Sequence, residues 1–241
     1  MSMSAPDLRG ERGFTLVELL VASLAGIIVA AALGAIVITS VHFSASFRDR
    51  VDATQQGRVA MEKVTQALNS SCVAAGLPPI VGVTSAGNNS DATHLVFYSA
   101  LSDAPTVKPN LVTVSLTGGQ LVMSTAAWVS GSAPTVSNPA GWTFSTTPTN
   151  FVLVPYAAQT GSTPVFQYFG YSSGAISTTP YSVPLSAANA LTTAMVTISF
   201  KAFPSNNHTN QVAVGADVND SVVLRLTPAS SSGNASNTPC T

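Results

Sequence analysis

The chain opens with polar and charged residues, then turns apolar at Phe14 and stays so for most of the next thirty positions. From Leu19 to Phe47, 29 residues pass without a Lys, Arg, Asp or Glu. About 20 such residues suffice for a helix to cross a bilayer. Beyond Phe47 the apolar positions thin out to a stripe at Phe47, Val51, Thr54, Met61, Val64, Leu68 and Cys72, in helical steps of three and four. The one seven-residue gap is bridged by Arg58. No proline occurs from Phe14 to Leu77, so the pattern predicts one long helix over 14–76. Its first part, 14–43, is transmembrane and its second part amphipathic. Helical from Phe14 to Asn69, the rod would be about 84 Å long. Arg48, Asp49, Arg50, Asp52, Arg58, Glu62 and Lys63 are expected mainly on its solvated face.

"CVAAGLPPI" at 72–80 ends the helical pattern, because Gly76 suits a C-terminal cap and Pro78-Pro79 forbid continuation. From there the period changes. Short runs rich in Val, Tyr, Phe and Thr, bounded by Gly, Pro, Asn and Ser, predict strands at 94–100, 111–116, 120–129, 151–156, 165–171, 194–203 and 221–226. Thr117-Gly118-Gly119 marks a hairpin between the second and third. Stretches 130–150 and 172–190 read as loops. The expected architecture is α+β: a long helix laid on a mainly antiparallel sheet, with 77–241 as the β-rich body.

Composition changes this picture in one respect. Of 241 residues 46% are hydrophobic, which supports a packed core, yet only 8% are charged, against about 25% in ordinary soluble domains. Ser, Thr and Asn carry the surface instead, as suits an exported body. Net charge is −1 and the basic residues do not cluster, so nucleic acid is not an expected partner of this subunit alone. Arg9 and Arg12 precede the apolar run, which places residues 1–13 in the cytoplasm and the body outside it.

The acid at Glu18, inside the apolar run, is unexplained by a plain anchor, since a carboxylate near the centre of a spanning helix costs about 2.5–3.5 kcal/mol. The apolar run is also about twice as long as a signal-peptide core. Gly13, Phe14, Thr15, Leu16, Val17 and Glu18, followed by "LLVASLAGIIVAAALGAIVI", resemble the N-terminus of type IV pilins and type II secretion pseudopilins. The resemblance implies cleavage by a membrane prepilin peptidase between Gly13 and Phe14, methylation of the new amino terminus on Phe14, and a role for Glu18 in subunit assembly. It implies as partners membrane lipid before assembly, the inner-membrane assembly platform, and other pilins through their N-terminal helices. The family's frequent helix proline falls on Ala35 here, so a kink would have to rest on Gly34. "PVFQYFGYSSG", "MVTISFKAF" and "SVVLRLTP" are more loosely similar to the closing strands of larger minor pilins, the PilW kind and the J-type pseudopilins. The expected function is therefore that of a minor pilin in a type IV pilus or its initiating tip complex. Its expected location is the bacterial inner membrane, with a single pass, and then the pilus or a periplasmic pseudopilus. A secretion pseudopilin is the alternative. So is an adhesive tip subunit, with exposed aromatics such as Trp128 or Trp142 meeting a surface, glycan or DNA.

Cys72 and Cys240 are the two cysteines, and outside the cytoplasm an even count favours a disulfide. Such a bridge would close a loop worth about 5 kcal/mol at most; two separate thiols are the alternative. Catalytic patterns are weak. Gly170-Tyr171-Ser172-Ser173-Gly174 matches G-x-S-x-G, but Pro180 and Pro184 follow where a nucleophile elbow needs a helix. His42, His94 and His208 lack metal-ligand spacing, and "DVNDS" at 217–221 departs from a calcium loop and reads as loop polarity. No catalytic residue, metal or cofactor is expected. The triplets at Asn88 and Asn234 carry little weight.

Overall fold

The computed structural model describes residues 15–71, 80–83, 89–99, 109–131, 142–205 and 215–224. It is an α+β arrangement, one long N-terminal helix and a set of antiparallel sheets. The chain divides into two compact units, residues 1–47 and 48–241.

The first unit holds the opening part of helix α1 (Leu16–Asn69). Every residue from Thr15 to Arg48 is exposed, including Leu16, Ile27, Leu33 and Phe43. The helix runs unbroken through Gly26 and Gly34, and a Cβ at either glycine would meet nothing within 4 Å. Two of its hydroxyls turn inward on the backbone. Ser23 Oγ donates to the Leu20 carbonyl at 2.9 Å and Thr39 Oγ1 to the Ala35 carbonyl at 2.8 Å. That satisfies the side chain without water, as an apolar environment requires. With a mean hydropathy of 2.6 over its most apolar window, α1 is long and apolar enough to cross a bilayer, in keeping with a membrane anchor or a signal sequence.

In the second unit the rest of α1 packs on strands. Strands β1 (His94–Ser99), β2 (Asn110–Thr117), β3 (Gln120–Ala126) and β6 (Thr149–Val154) form a four-stranded antiparallel sheet in the order β1-β2-β3-β6. Strand β4 (Trp128–Gly131) leaves that sheet and pairs with β5 (Trp142–Phe144). Next come β7 (Ala157–Ala158), β8 (Phe166–Ser172), β9 (Ala175–Ile176), the short helix α2 (Ala187–Thr192), β10 (Thr193–Ala202) and β11 (Ala216–Val223). The last five strands form a second sheet in the order β11-β10-β8-β9, with β7 also on β10. Ala60, Met61, Val64, Ala67 and Leu68 of α1 share one core with Leu95, Phe97, Val112, Val114 and Leu121 of the first sheet. Phe166, Tyr168, Val196, Ile198 and Phe200 of the second sheet complete it. The Tyr168 hydroxyl donates to the carbonyls of His94 at 2.8 Å and Asp91 at 3.2 Å, joining the two sheets by a polar contact inside an apolar core.

Several elements depart from the sequence expectation, each for a physical reason. Helix α1 ends at Asn69: Ser70 Oγ bonds back to the Ala67 carbonyl at 2.7 Å, and Ser71 bridges to Ser99 on the edge of β1. The expected cap at Gly76 lies outside the described residues. The buried face of α1 follows the expected stripe at Met61, Val64 and Leu68 and departs from it before them, where Ala53, Gly57 and Ala60 are buried while Phe47, Val51 and Thr54 are exposed. Gly57 bridges the gap assigned to Arg58. A Cβ at Gly57 would collide with Val218 of β11 and touch Ala202 of β10, so absence of a side chain sets the approach of helix to sheet.

The polar stretch Asp217–Ser221 is strand rather than loop, since it lies on β11, an edge strand with one wet face. The expected loops at 130–150 and 172–190 contain β5, β9 and α2, the last capped by Ser186 Oγ on the Asn189 amide at 3.1 Å. The β2–β3 hairpin forms as expected, with Gly118 and Gly119 at φ 59° and 77° in a two-residue turn.

Candidate functional site: the start of the long helix

Helix α1 begins at Leu16 with Thr15 as its flanking residue, and Glu18 stands three positions on. Glu18 Oε2 accepts the Thr15 amide and the Thr15 hydroxyl, each at 3.1 Å, while the Glu18 amide donates to Thr15 Oγ1 at 3.3 Å. This reciprocal pattern is a capping box, the T-x-x-E arrangement that satisfies free amides at a helix start. A negative charge in the first turn also faces the positive end of the helix dipole. Glu18 therefore has a local role that the reading of the sequence missed, although the Thr15-to-Glu18 spacing was there to signal it.

Gly13 and Phe14 lie outside the described residues, as do Arg9, Arg12, Cys72, Cys240, His208, Asn88 and Asn234. The scissile bond and the cysteine pairing are therefore expectations of sequence alone. His42 is exposed on α1. His94 starts β1 beside Asp91, Nδ1 to Oδ1 at 3.1 Å, where it belongs to a turn. Among the described residues no three His, Cys, Asp or Glu side chains gather as a metal site would need. Ser172 closes β8, Ser173 and Gly174 take φ 53° and 83°, and β9 follows. The G-x-S-x-G match is thus a β-hairpin turn, and strand rather than helix comes after it.

Two of the charges expected on the wet face of α1, Asp52 and Lys63, reach other parts of the chain. Asp52 Oδ2 accepts from Gln56 Nε2 at 2.9 Å and from the Ser205 amide at 3.0 Å, fastening the end of β10 to the helix. Lys63 Nζ lies 4.9 Å from the centre of the Phe151 ring, a cation–π distance. Trp128 and Trp142 sit on β4 and β5, both partly buried.

Comparison with protein-family models, with curated proteins and with solved structures finds no match to this chain.

Proposed function

We propose that this chain is a minor pilin, a structural subunit cut after Gly13, methylated on Phe14 and assembled through its N-terminal helix into a type IV pilus or its initiating tip complex. The observation that supports this most is the conjunction at one helix end. A small residue, an aromatic and an acid stand at pilin-like spacing, and behind them lies a helix segment that carries no charge from Leu19 to Phe47 and is wholly exposed. Exposed apolar surface on this scale is costly in water, at roughly 25 cal/mol per Å². Lipid before assembly, and the helices of other pilins after it, would cover it. The β-rich second unit supplies the body such a subunit carries outward. In this reading the chain acts on no substrate and is itself the substrate of a peptidase.

Glu18 then has two duties. In the free subunit it completes the cap on Thr15; in the filament it receives the amino group that cleavage creates on the Phe14 of a neighbour. A buried ion pair rarely adds net stability, but an unpaired buried charge costs about 3–5 kcal/mol, so the pair selects axial register. Mass spectrometry of the N-terminus of protein purified from sheared filaments tests the reading. A chain that begins with N-methylated Phe14 is expected; an intact Met1, or a cut near Ala25, overturns it.

A further inference from the structure

The outer face of the four-stranded sheet, turned away from the core, carries a feature unrelated to the helix. One end of it is roofed by Tyr98, Trp142 and Phe144, which pack on Val96 and Leu111. The three rings are locked together: Tyr98 and Trp142 meet edge to face at 5.2 Å, and Tyr98 and Phe144 stack at 5.9 Å. Beside this wall opens a cleft of about 780 Å³; among the described residues its lining contains no charged side chain. Its floor includes Thr113, Ser115, Ser124 and Asn150, with Thr113, Ser124 and Asn150 in one register row across β2, β3 and β6. That row sets hydroxyl and amide groups at the strand spacing of about 4.8 Å. Among the described residues, none of these four side chains hydrogen-bonds to the rest of the protein.

We propose that this cleft binds a neutral oligosaccharide. With no cation among the described residues of the lining, phosphates, nucleic acid and sulfated polymers, whose affinity comes from Lys and Arg, are disfavoured. A floor of unspent hydroxyls and an amide disfavours an apolar helix or an acyl chain, which would leave those groups unpaired. A peptide adding as a strand takes a sheet edge, and this is a sheet face. A sugar answers both parts of the site. Its hydroxyls exchange hydrogen bonds with the floor, and the C–H face of its ring lies against the negative face of an aromatic ring at the wall. The interlocked rings hold Trp142 in place before binding, so little ordering is needed on association. This assignment does not rest on the pilin reading.

The test uses the full chain in phosphatidylcholine nanodiscs, because sugar-headed detergents would compete. Binding is titrated calorimetrically with maltohexaose, cellohexaose and chitohexaose, and with heparin as the charged comparison. A saturable response with a Kd of about 1 mM or tighter is expected for at least one neutral oligosaccharide. Trp142→Phe should weaken it about tenfold, a loss typical of an aromatic anchor. Thr113→Arg should abolish the response with the melting temperature unchanged; Asn150→Arg, at the exposed edge of the same row, serves if Thr113→Arg does not fold. No response to any of the three sugars up to about 10 mM, binding that survives the floor substitution, or tighter binding of heparin would overturn the assignment.

Discussion

The two parts of helix α1 belong to one unbroken helix and end in opposite surroundings. Before Arg48, Leu16 is 82% exposed and Phe43 73%; after it, Val64 is 0% and Leu68 1% exposed. Hydrophobicity measures how strongly a side chain favours leaving water, and it does not say what will cover it. In the second unit the chain covers the helix with its own sheets. Small residues share that face with the large ones: Ala53 and Ala60 are 0% exposed whereas Val59 is 52% exposed. At Gly57, beside Val218, lack of a side chain permits the approach of helix to sheet. In the first unit the large residues face outward all round, and none of the described residues covers them.

Glu18 offers the largest effect by which to break that contrast. Glu18→Ala removes both the cap and the charge; Glu18→Gln keeps a cap partner, because glutamine also serves in a capping box, and loses the charge. Thr15→Ala does the reverse. The cap is worth about 0.5–2 kcal/mol, whereas a buried amino group left without its carboxylate costs about 3–5 kcal/mol. Both Glu18 variants should therefore be recovered severalfold less in sheared filaments, with cleavage after Gly13 intact, while Thr15→Ala assembles. Wild-type incorporation of Glu18→Gln would mean that the carboxylate works as a cap and that assembly register comes from elsewhere.

A pair of glycines probes the two surroundings more directly. Gly57→Leu drives a side chain into Val218, and overpacking of this kind costs about 1–3 kcal/mol. Gly34→Leu enters open space in the same helix and gains up to about 1 kcal/mol of helix propensity. Thermal unfolding of the isolated subunit in nanodiscs should show a lowered midpoint for the first and none for the second. Equal midpoints would mean that Val218 rotates away and that the helix–sheet approach does not depend on Gly57. A defect of Gly34→Leu confined to filament assembly would mark a close helix–helix contact there, of the kind small residues permit.

These residues also mark what the sequence made legible. The apolar run, the Gly118-Gly119 hairpin and most strands were plain because they are local: a period, a turn residue, a β-branched run. The buried face of α1 was placed correctly at Met61, Val64 and Leu68 and misplaced at Phe47, Val51 and Thr54, because periodicity counts large apolar residues, whereas Gly57 meets β10 and β11 from far along the chain. The part of β11 before the expected strand at 221–226 looked like a loop because an edge strand tolerates Asp217, Asn219 and Asp220 on exposed positions. The cleft on the outer sheet face was invisible for the same reason. Thr113, Ser124 and Asn150 mean nothing singly, and only register places them in one row. The Thr15–Glu18 box, by contrast, was legible and overlooked.

The smallest expected effect sharpens the polar side of the second unit, where a turn is held by a carboxylate. Asp91 Oδ1 accepts the amides of Thr93 at 2.7 Å and His94 at 2.8 Å, just where the buried Tyr168 hydroxyl reaches the same turn from the other sheet. Burial alone would raise the Asp91 carboxyl, but the hydrogen bonds from the Thr93 amide and from the ring and amide of His94 outweigh it and hold the group below its usual value. A carboxyl whose value is lower folded than unfolded stabilises fully above the unfolded value of about 4 and loses that contribution as pH falls through the folded one. Solvent reaches this partly buried group, so its contribution is smaller than about 1 kcal/mol. Asp91→Asn, which keeps one acceptor oxygen and drops the charge, should then lower the melting midpoint slightly at pH 7. The gap to wild type should close as pH is taken below about 4. A gap that stays constant into acid would assign the effect to the geometry of the Asn-containing turn rather than to the charge, and would leave Tyr168 as the polar tie between the sheets that matters.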